Sequence, residues 1–304
     1  MAGSGTILER LRHGPPLVLD GPTGTELERR GVDTTLPLWS ARAIMDAPDV
    51  LKKIHRDHLL AGAEVHTANT FRTNPRTLER AGVKAEGRRF VESAVRIARQ
   101  ALEDPPRDAP RETWLAGSLA PVEDCYRPDL VPDSDALVGE HALHAEDLHD
   151  AGVDLLLVET MNSGREAEAA TKAARETGLP VLVSFVASDD KTILSGEPLE
   201  EVIARVASLR PDGILLNCAD VETTTRAVRV LRDHWEGPWG AYANTGKADP
   251  IKGWEAAEGA DVATYQRHAD EWLRLGARLV GGCCGTRPEH TAAIARHVRQ
   301  VHPA

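Results

Sequence analysis

Ala151-Gly152-Val153-Asp154-Leu155-Leu156-Leu157-Val158-Glu159-Thr160 decides the fold. Gly152 stands just past a run of helical period and just before an apolar run, where a left-handed helix C-cap belongs. Leu155 to Val158 is apolar at every position, so both faces of this strand are buried, as in a parallel sheet covered by helices. The run ends on a carboxylate, Glu159, which is costly to bury without a partner and so reads as functional. The unit is helix, glycine, strand, polar end. It recurs at Ala61-Gly62-Ala63, Thr177-Gly178-Leu179 and Leu275-Gly276-Ala277.

Working outward, eight strand-like runs appear: Pro16 to Asp20, Glu64 to Asn69, Trp114 to Leu119, Asp154 to Thr160, Pro180 to Val186, Gly213 to Cys218, Gly237 to Asn244 and Arg278 to Cys284. Segments of helical period alternate with them: Pro48 to Ala61, Lys84 to Leu102, Gly139 to Ala151, Arg165 to Thr177, Leu199 to Leu209, Thr223 to His234 and Val262 to Leu275. Eight strands in alternation with helical segments over 304 residues predict an α/β fold, a single (β/α)8 TIM barrel occupying residues 1–304 as one domain. Irregular, Pro-rich connections after strands one, three and seven suit active-site loops on the upper rim.

Composition narrows the partners. A formal net charge of -11, from 47 acidic against 36 basic residues, argues against nucleic acid and anionic membrane surfaces. The first twenty residues carry Glu9, Arg10 and Arg12 and no long apolar core, so neither a signal peptide nor a transmembrane span is expected, and the expected location is cytoplasmic. Four cysteines do not make a disulfide framework.

Three of those cysteines fall at strand ends: Cys218 on strand six and the adjacent pair Cys283-Cys284 on strand eight. Neighbouring cysteines on an extended segment make a poor disulfide, but a kinked strand end turns both sulfurs toward one soft cation. Three thiolates leave one position of a tetrahedral Zn2+ open, which distinguishes catalytic from structural zinc and points to sulfur alkylation. The other strand ends place Asp20-Gly21, Asn69-Thr70, Ser118, Glu159-Thr160, Ser184 and Asn244 on the same rim. Asp20 and Glu159 could grip an ammonium, with the Gly21 amide region and Asn69/Thr70 for a carboxylate: an amino-acid site whose side chain reaches the metal. Asp20 also reads as a turn opener, and Asn244 as either a turn residue or a weak fourth ligand. Cys125 reads as a bystander in the loop after strand three. His55 and His58 on one helix, and His141, His144 and His149 on another, read as residues of solvated faces, while His66 on strand two is either a core histidine or a neighbour of the site.

These residues carry a resemblance that runs the length of the chain. Leu19-Asp20-Gly21-Pro22-Thr23-Gly24-Thr25-Glu26-Leu27, Leu38-Trp39-Ser40-Ala41, Ala68-Asn69-Thr70-Phe71, Leu216-Asn217-Cys218, Tyr242-Ala243-Asn244-Thr245-Gly246 and above all Val280-Gly281-Gly282-Cys283-Cys284-Gly285-Thr286 resemble the homocysteine S-methyltransferase family. The resemblance implies a zinc-dependent barrel in which Cys218, Cys283 and Cys284 hold the metal, homocysteine sulfur takes the open position, and Asp20 and Glu159 bind the amino group. The implied partners are small molecules, homocysteine and a methyl donor. Trp39 is placed to stack on a sulfonium or ammonium donor, or else to pack under its loop. Two departures stand out: Ala68 where relatives often have Thr, and Arg72 where betaine-using relatives place a tyrosine ligand. The second favours S-methylmethionine or another sulfonium over betaine. A separate methylcorrinoid protein is the alternative donor, as for the similar first domain of cobalamin-dependent methionine synthase. A zinc hydrolase is a further alternative, disfavoured because no His-x-His strand motif occurs.

Overall fold

The computed structural model describes residues 6–249, 253–256 and 261–302. Its eight parallel strands are β1 (Leu17–Val18), β2 (Val65–Ala68), β3 (Trp114–Leu119), β4 (Leu155–Met161), β5 (Val181–Phe185), β6 (Gly213–Asp220), β7 (Trp239–Asn244) and β8 (Leu279–Gly282). Each pairs with its sequence neighbour from β2 to β8, and β8 pairs with β1. A bridge from Leu19 to Val65, with Asp20 N–H donating to the Val65 carbonyl at 2.9 Å, joins β1 to β2 and closes the (β/α)8 barrel. A two-stranded ribbon, Gly246–Asp249 with Gly253–Ala256, follows β7.

The four glycines singled out as helix caps, Gly62, Gly152, Gly178 and Gly276, have φ of 105°, 84°, 79° and 102°. A side chain there would meet the penalty that bars L-residues from the left-handed region. The helices observed as Pro48–Ala61, Gly164–Glu176, Leu199–Ala207 and Val262–Arg274 fall where the periodicity puts them. The segment predicted from Lys84 splits into a 3-10 turn, Lys84–Glu86, and a helix, Gly87–Leu102, because Gly87 weakens continuation. The helix expected from Gly139 starts earlier, at Ser134, where the Asp133 carboxylate accepts the Ala136 amide.

Side-chain alternation divides the core. Inward residues low in the barrel are apolar, among them Leu17, Leu19, Val65, Leu155, Leu157 and Leu279, and Ile7 and Leu11 of the helix Ile7–His13 pack with them. Outward residues such as Leu156 and Val158 pack against the helix layer. Toward the strand C-terminal ends the inward positions turn polar: Ser118, Glu159, Ser184, Asn217 and Tyr242 are buried there. That polar layer is the floor of the site.

Candidate active site

Above the floor lies a cavity of about 340 Å³ whose wall includes Asp20, Gly21, Trp39, Asn69, Glu159, Cys218, Cys283 and Cys284. Eight of the ten residues expected from sequence therefore line it; Thr70 and Asn244 do not.

The three sulfurs come together by two devices. After Asn217, which faces inward, alternation would send Cys218 outward. Cys218 instead has φ of 56°, and the β6 register shifts between Asn217 and Asp220, so the sulfur turns back into the cavity. On β8, two glycines let the strand end run close to its neighbours: a Cβ on Gly281 would stand 2.6 Å from Leu19 Cβ, and one on Gly282 would stand 2.2 Å from Thr286 Oγ1. Cys283 and Cys284 follow directly. Cys218 Sγ lies 2.8 Å from Cys283 Sγ, well beyond the ~2.05 Å of a disulfide, and all three sulfurs lie within 4.8 Å of one another. A tetrahedral centre with metal–sulfur bonds of about 2.3 Å needs sulfurs roughly 3.8 Å apart. The cluster is of that scale, and among the described residues no histidine or carboxylate joins it. Hydrogen bonds from Cys218 and Cys283 hold the Cys284 thiol below its ordinary pKa against the effect of burial, so the trio readily carries its first negative charge.

Both carboxylates are buried in the same wall. Asp20 accepts hydrogen bonds from the Thr67 amide at 3.0 Å and the Thr67 hydroxyl at 3.2 Å. Burial nevertheless raises its pKa well above the usual carboxylate value, and the charge of Glu159 adds to the rise. Glu159 accepts from the Ser118 hydroxyl and, at 3.2 Å, from the Tyr242 hydroxyl. Burial pushes its pKa to about 7 in spite of the Ser118 bond. Among the described residues neither carboxylate pairs with lysine or arginine; the nearest basic group, His66 Nδ1, is 3.8 Å from Asp20 and is kept neutral by burial, with a pKa pushed down to about 3. Two buried carboxylates without a cation make a receptor for one.

The remaining residues support this frame. Asn69 lines the cavity and donates from Nδ2 to the Ser40 carbonyl at 2.7 Å, tying the loop that carries Trp39. Trp39 meets Phe71 edge to face at 5.9 Å on the cavity wall, so it packs within its loop while lining the cavity. Thr70 is spent on β3: its hydroxyl donates to the Ser118 carbonyl and accepts the Ser118 amide, both at 3.0 Å. Asn244 donates to the Cys218 carbonyl at 2.7 Å, which fixes the turn that aims the sulfur.

Several residues depart from expectation. Cys125 is buried in the cavity wall rather than lying aside in a loop, since the β3 loop folds over the barrel mouth and Asn162 anchors its carbonyl at 3.1 Å. His55, His58, His141 and His144 are buried, not solvated, because their helix faces point at the sheet; only His149 is exposed. His58 lies directly beneath Gly21, where a Cβ would come within 2.5 Å of its Cε1, so glycine is what lets the β1 loop cross. Tyr126, absent from the residues expected at the site, lines the cavity and donates to the Cys218 carbonyl at 3.5 Å. Its signal in the sequence is weak, a loop aromatic beside a cysteine. Tyr242 had a stronger one, an inward parity two residues before Asn244.

Comparison with known proteins agrees with this geometry. The homocysteine S-methyltransferase family profile matches residues 17–298. The homocysteine S-methyltransferase YbgG of Bacillus subtilis is 31% identical, over 94% of this chain and 96% of that protein. The chain belongs to the homocysteine S-methyltransferase family. Within that family, the metallated form of the homocysteine methyltransferase MmuM from Escherichia coli superposes with a TM-score of 0.80 at 28% identity, covering 93% of this chain and 96% of that one. The selenocysteine methyltransferase of Astragalus bisulcatus is 28% identical over 92% of both chains. Among the described residues no helix is long and apolar enough to cross a membrane.

Proposed function

We propose that the chain methylates the sulfur of homocysteine to give methionine, with zinc held by Cys218, Cys283 and Cys284 and a sulfonium such as S-methylmethionine as donor. The observation that carries this reading is one cavity holding three convergent sulfurs and two buried carboxylates that no lysine or arginine pairs among the described residues. When bound, zinc would supply an all-sulfur Lewis-acid centre with one open position that lowers the pKa of an incoming thiol while leaving its sulfur electron-rich.

The chain's own residues do the rest. Asp20 and Glu159 receive the substrate ammonium, and each is pre-aimed, Asp20 by Thr67 and Glu159 by Ser118 and Tyr242. The Gly21 backbone and Asn69 flank them on the wall and are assigned to the substrate carboxylate. With the head group fixed, the thiol is directed toward the cysteines. Trp39, Phe71 and Tyr126 line the approach and offer aromatic faces to a cationic donor, worth about 0.5 to 2 kcal/mol each.

Magnitudes assign the main contribution. A free thiol of pKa near 8.5 is a few per cent ionised at neutral pH, so complete ionisation contributes at most about 2 kcal/mol, and lower basicity returns about half of it. Alignment of sulfur, methyl carbon and leaving group contributes up to about 7 to 11 kcal/mol. The rigid floor that holds the ammonium is therefore worth more than thiol activation alone.

A selenol acceptor is a second reading, supported by the likeness to the Astragalus enzyme. The test is a screen of S-methylmethionine, S-adenosylmethionine, betaine and a methylcorrinoid protein against homocysteine, with methionine read by mass and zinc by elemental analysis. Methionine from a sulfonium is the expected result; no methionine from any donor overturns the reading.

A further inference from the structure

Arg72 lines the cavity wall. It follows Phe71 just after β2, half-buried, with its guanidinium carbon 5.8 Å from the centre of the Phe71 ring. Its only hydrogen bond among the described residues is long, from Nη1 to the Glu123 carbonyl at 3.3 Å, and its Nε is buried without a partner. The contrast with its neighbours is sharp. Arg76 is neutralised by Glu123 and Glu140, and Arg80 by Glu123. A guanidinium has five N–H donors in a planar fork suited to a carboxylate. Here it faces a cavity with one weak bond and no counter-ion.

We propose that Arg72 selects the methyl donor by gripping its carboxylate, so that the donor is a zwitterion read at both ends. This rests on the methyl-transfer reading above. The acceptor is accounted for deeper in the cavity, with its ammonium at Asp20 and Glu159 and its thiol toward the cysteines. A donor must enter from the open side, past Trp39 and Phe71, which pack edge to face beside Arg72. There its cationic centre meets the aromatic faces, and its carboxylate meets the only unneutralised guanidinium on the wall among the described residues. Arg72 thus does not oppose a cationic donor; it orients one that carries an anion at its far end.

The experiment measures binding of S-methylmethionine and of its methyl ester, which keeps the sulfonium and removes the anion, by calorimetry on the purified protein. Wild type should bind the free acid about ten- to a hundredfold more tightly than the ester, the range expected for one charged hydrogen-bonded pair. Arg72→Gln should lose that preference while keeping its affinity for the ester, and Arg72→Lys should keep part of it. In turnover, Arg72→Gln should raise the donor KM and leave the homocysteine KM unchanged. The assignment is overturned by an acid preference that survives in Arg72→Gln, by a shift in the homocysteine KM instead, or by the absence of measurable S-methylmethionine binding. Equal turnover of acid and ester in wild type removes Arg72's role while methyl transfer stands. Arg72-dependent binding with no methionine formed removes methyl transfer while the grip stands.

Discussion

Replacing Glu159 with glutamine is expected to stabilise the metal-free protein while crippling its recognition of an amino acid. Glu159 is 8% exposed as a residue, and its carboxyl pKa is pushed from the ordinary 4.5 to about 7, first by burial. A folded-state pKa above the unfolded one means that the folded state holds the proton more tightly. Stability from this group is therefore fully present below pH 4.5 and is lost as pH rises through about 7, beyond which the loss is constant. The displacement corresponds to about 3 kcal/mol at pH 8. Glutamine is neutral throughout, can accept from Ser118 and can donate to the Tyr242 oxygen, so it keeps the floor and removes the penalty. Urea denaturation of the metal-free proteins should show near equality at pH 5 and an advantage of about 2 to 3 kcal/mol for the variant at pH 8. The same substitution removes a charged partner of the ammonium and should weaken binding about ten- to a hundredfold. Methionine is the suitable probe because it has the ammonium and no titrating thiol. Its affinity for wild type should fall about tenfold per pH unit below 7, and Glu159→Gln should abolish that component. A variant less stable than wild type at pH 8, or a stability difference independent of pH between 5 and 8, would refute the reasoning.

Other outcomes follow from the same geometry. Serine at Cys218, Cys283 or Cys284 should each take bound zinc from one per chain to a small fraction, measured by elemental analysis, whereas Cys125→Ser should retain it even though Cys125 shares the cavity wall. Asn217→Ala should cost about 1 to 3 kcal/mol in urea denaturation, because it leaves the buried Thr160 amide and Ser184 hydroxyl without their shared acceptor. Steady-state kcat/KM at saturating homocysteine should be higher with S-methylmethionine than with betaine; the reverse order, or turnover only with a methylcorrinoid protein, would replace the donor and leave the cysteine site intact.

The barrel was legible because its code is local. Apolar runs that end on polar residues mark strands, and glycine just past a helical run marks the reversal; four such glycines do adopt left-handed φ. Cysteines at strand ends were legible for the same reason, since topology alone gathers the ends of β6 and β8. The histidines were misread because the helical period does not say which face meets the sheet, and His55, His58, His141 and His144 sit on that face. Tyr126 and Cys125 depend on how the loop after β3 folds back, which is set by contacts such as Asn162 to the Cys125 carbonyl and Glu166 to the Val122 amide, each roughly forty residues away. No local pattern encodes those pairs. Thr70 was placed on the wall by its position at a strand end, yet its hydroxyl is consumed by Ser118.

What gives this site its density of function is a break in strand alternation at two places. An ordinary strand offers the cavity one side chain in two. At the end of β4 and again at the end of β6, a register shift coincides with a non-glycine residue in the left-handed region, Thr160 at φ 62° and Cys218 at φ 56°. Each such conformation costs on the order of 1 to 3 kcal/mol and persists only where its surroundings over-determine it. Asn217 does so for both. Its Oδ1 accepts the Thr160 amide at 3.2 Å and the Ser184 hydroxyl at 2.7 Å, its Nδ2 donates to the Thr160 hydroxyl at 2.8 Å, and its own backbone leads directly into Cys218. Thr160 Oγ1 then lies 3.9 Å from Cys218 Sγ. The two strained ends are thus one structure: consecutive residues on each strand, Glu159 with Thr160 and Asn217 with Cys218, all face inward. The carboxylate that would hold the ammonium and the sulfur that would hold the metal are therefore fixed relative to each other by a single buried amide, which is the rigidity that alignment in a methyl transfer requires.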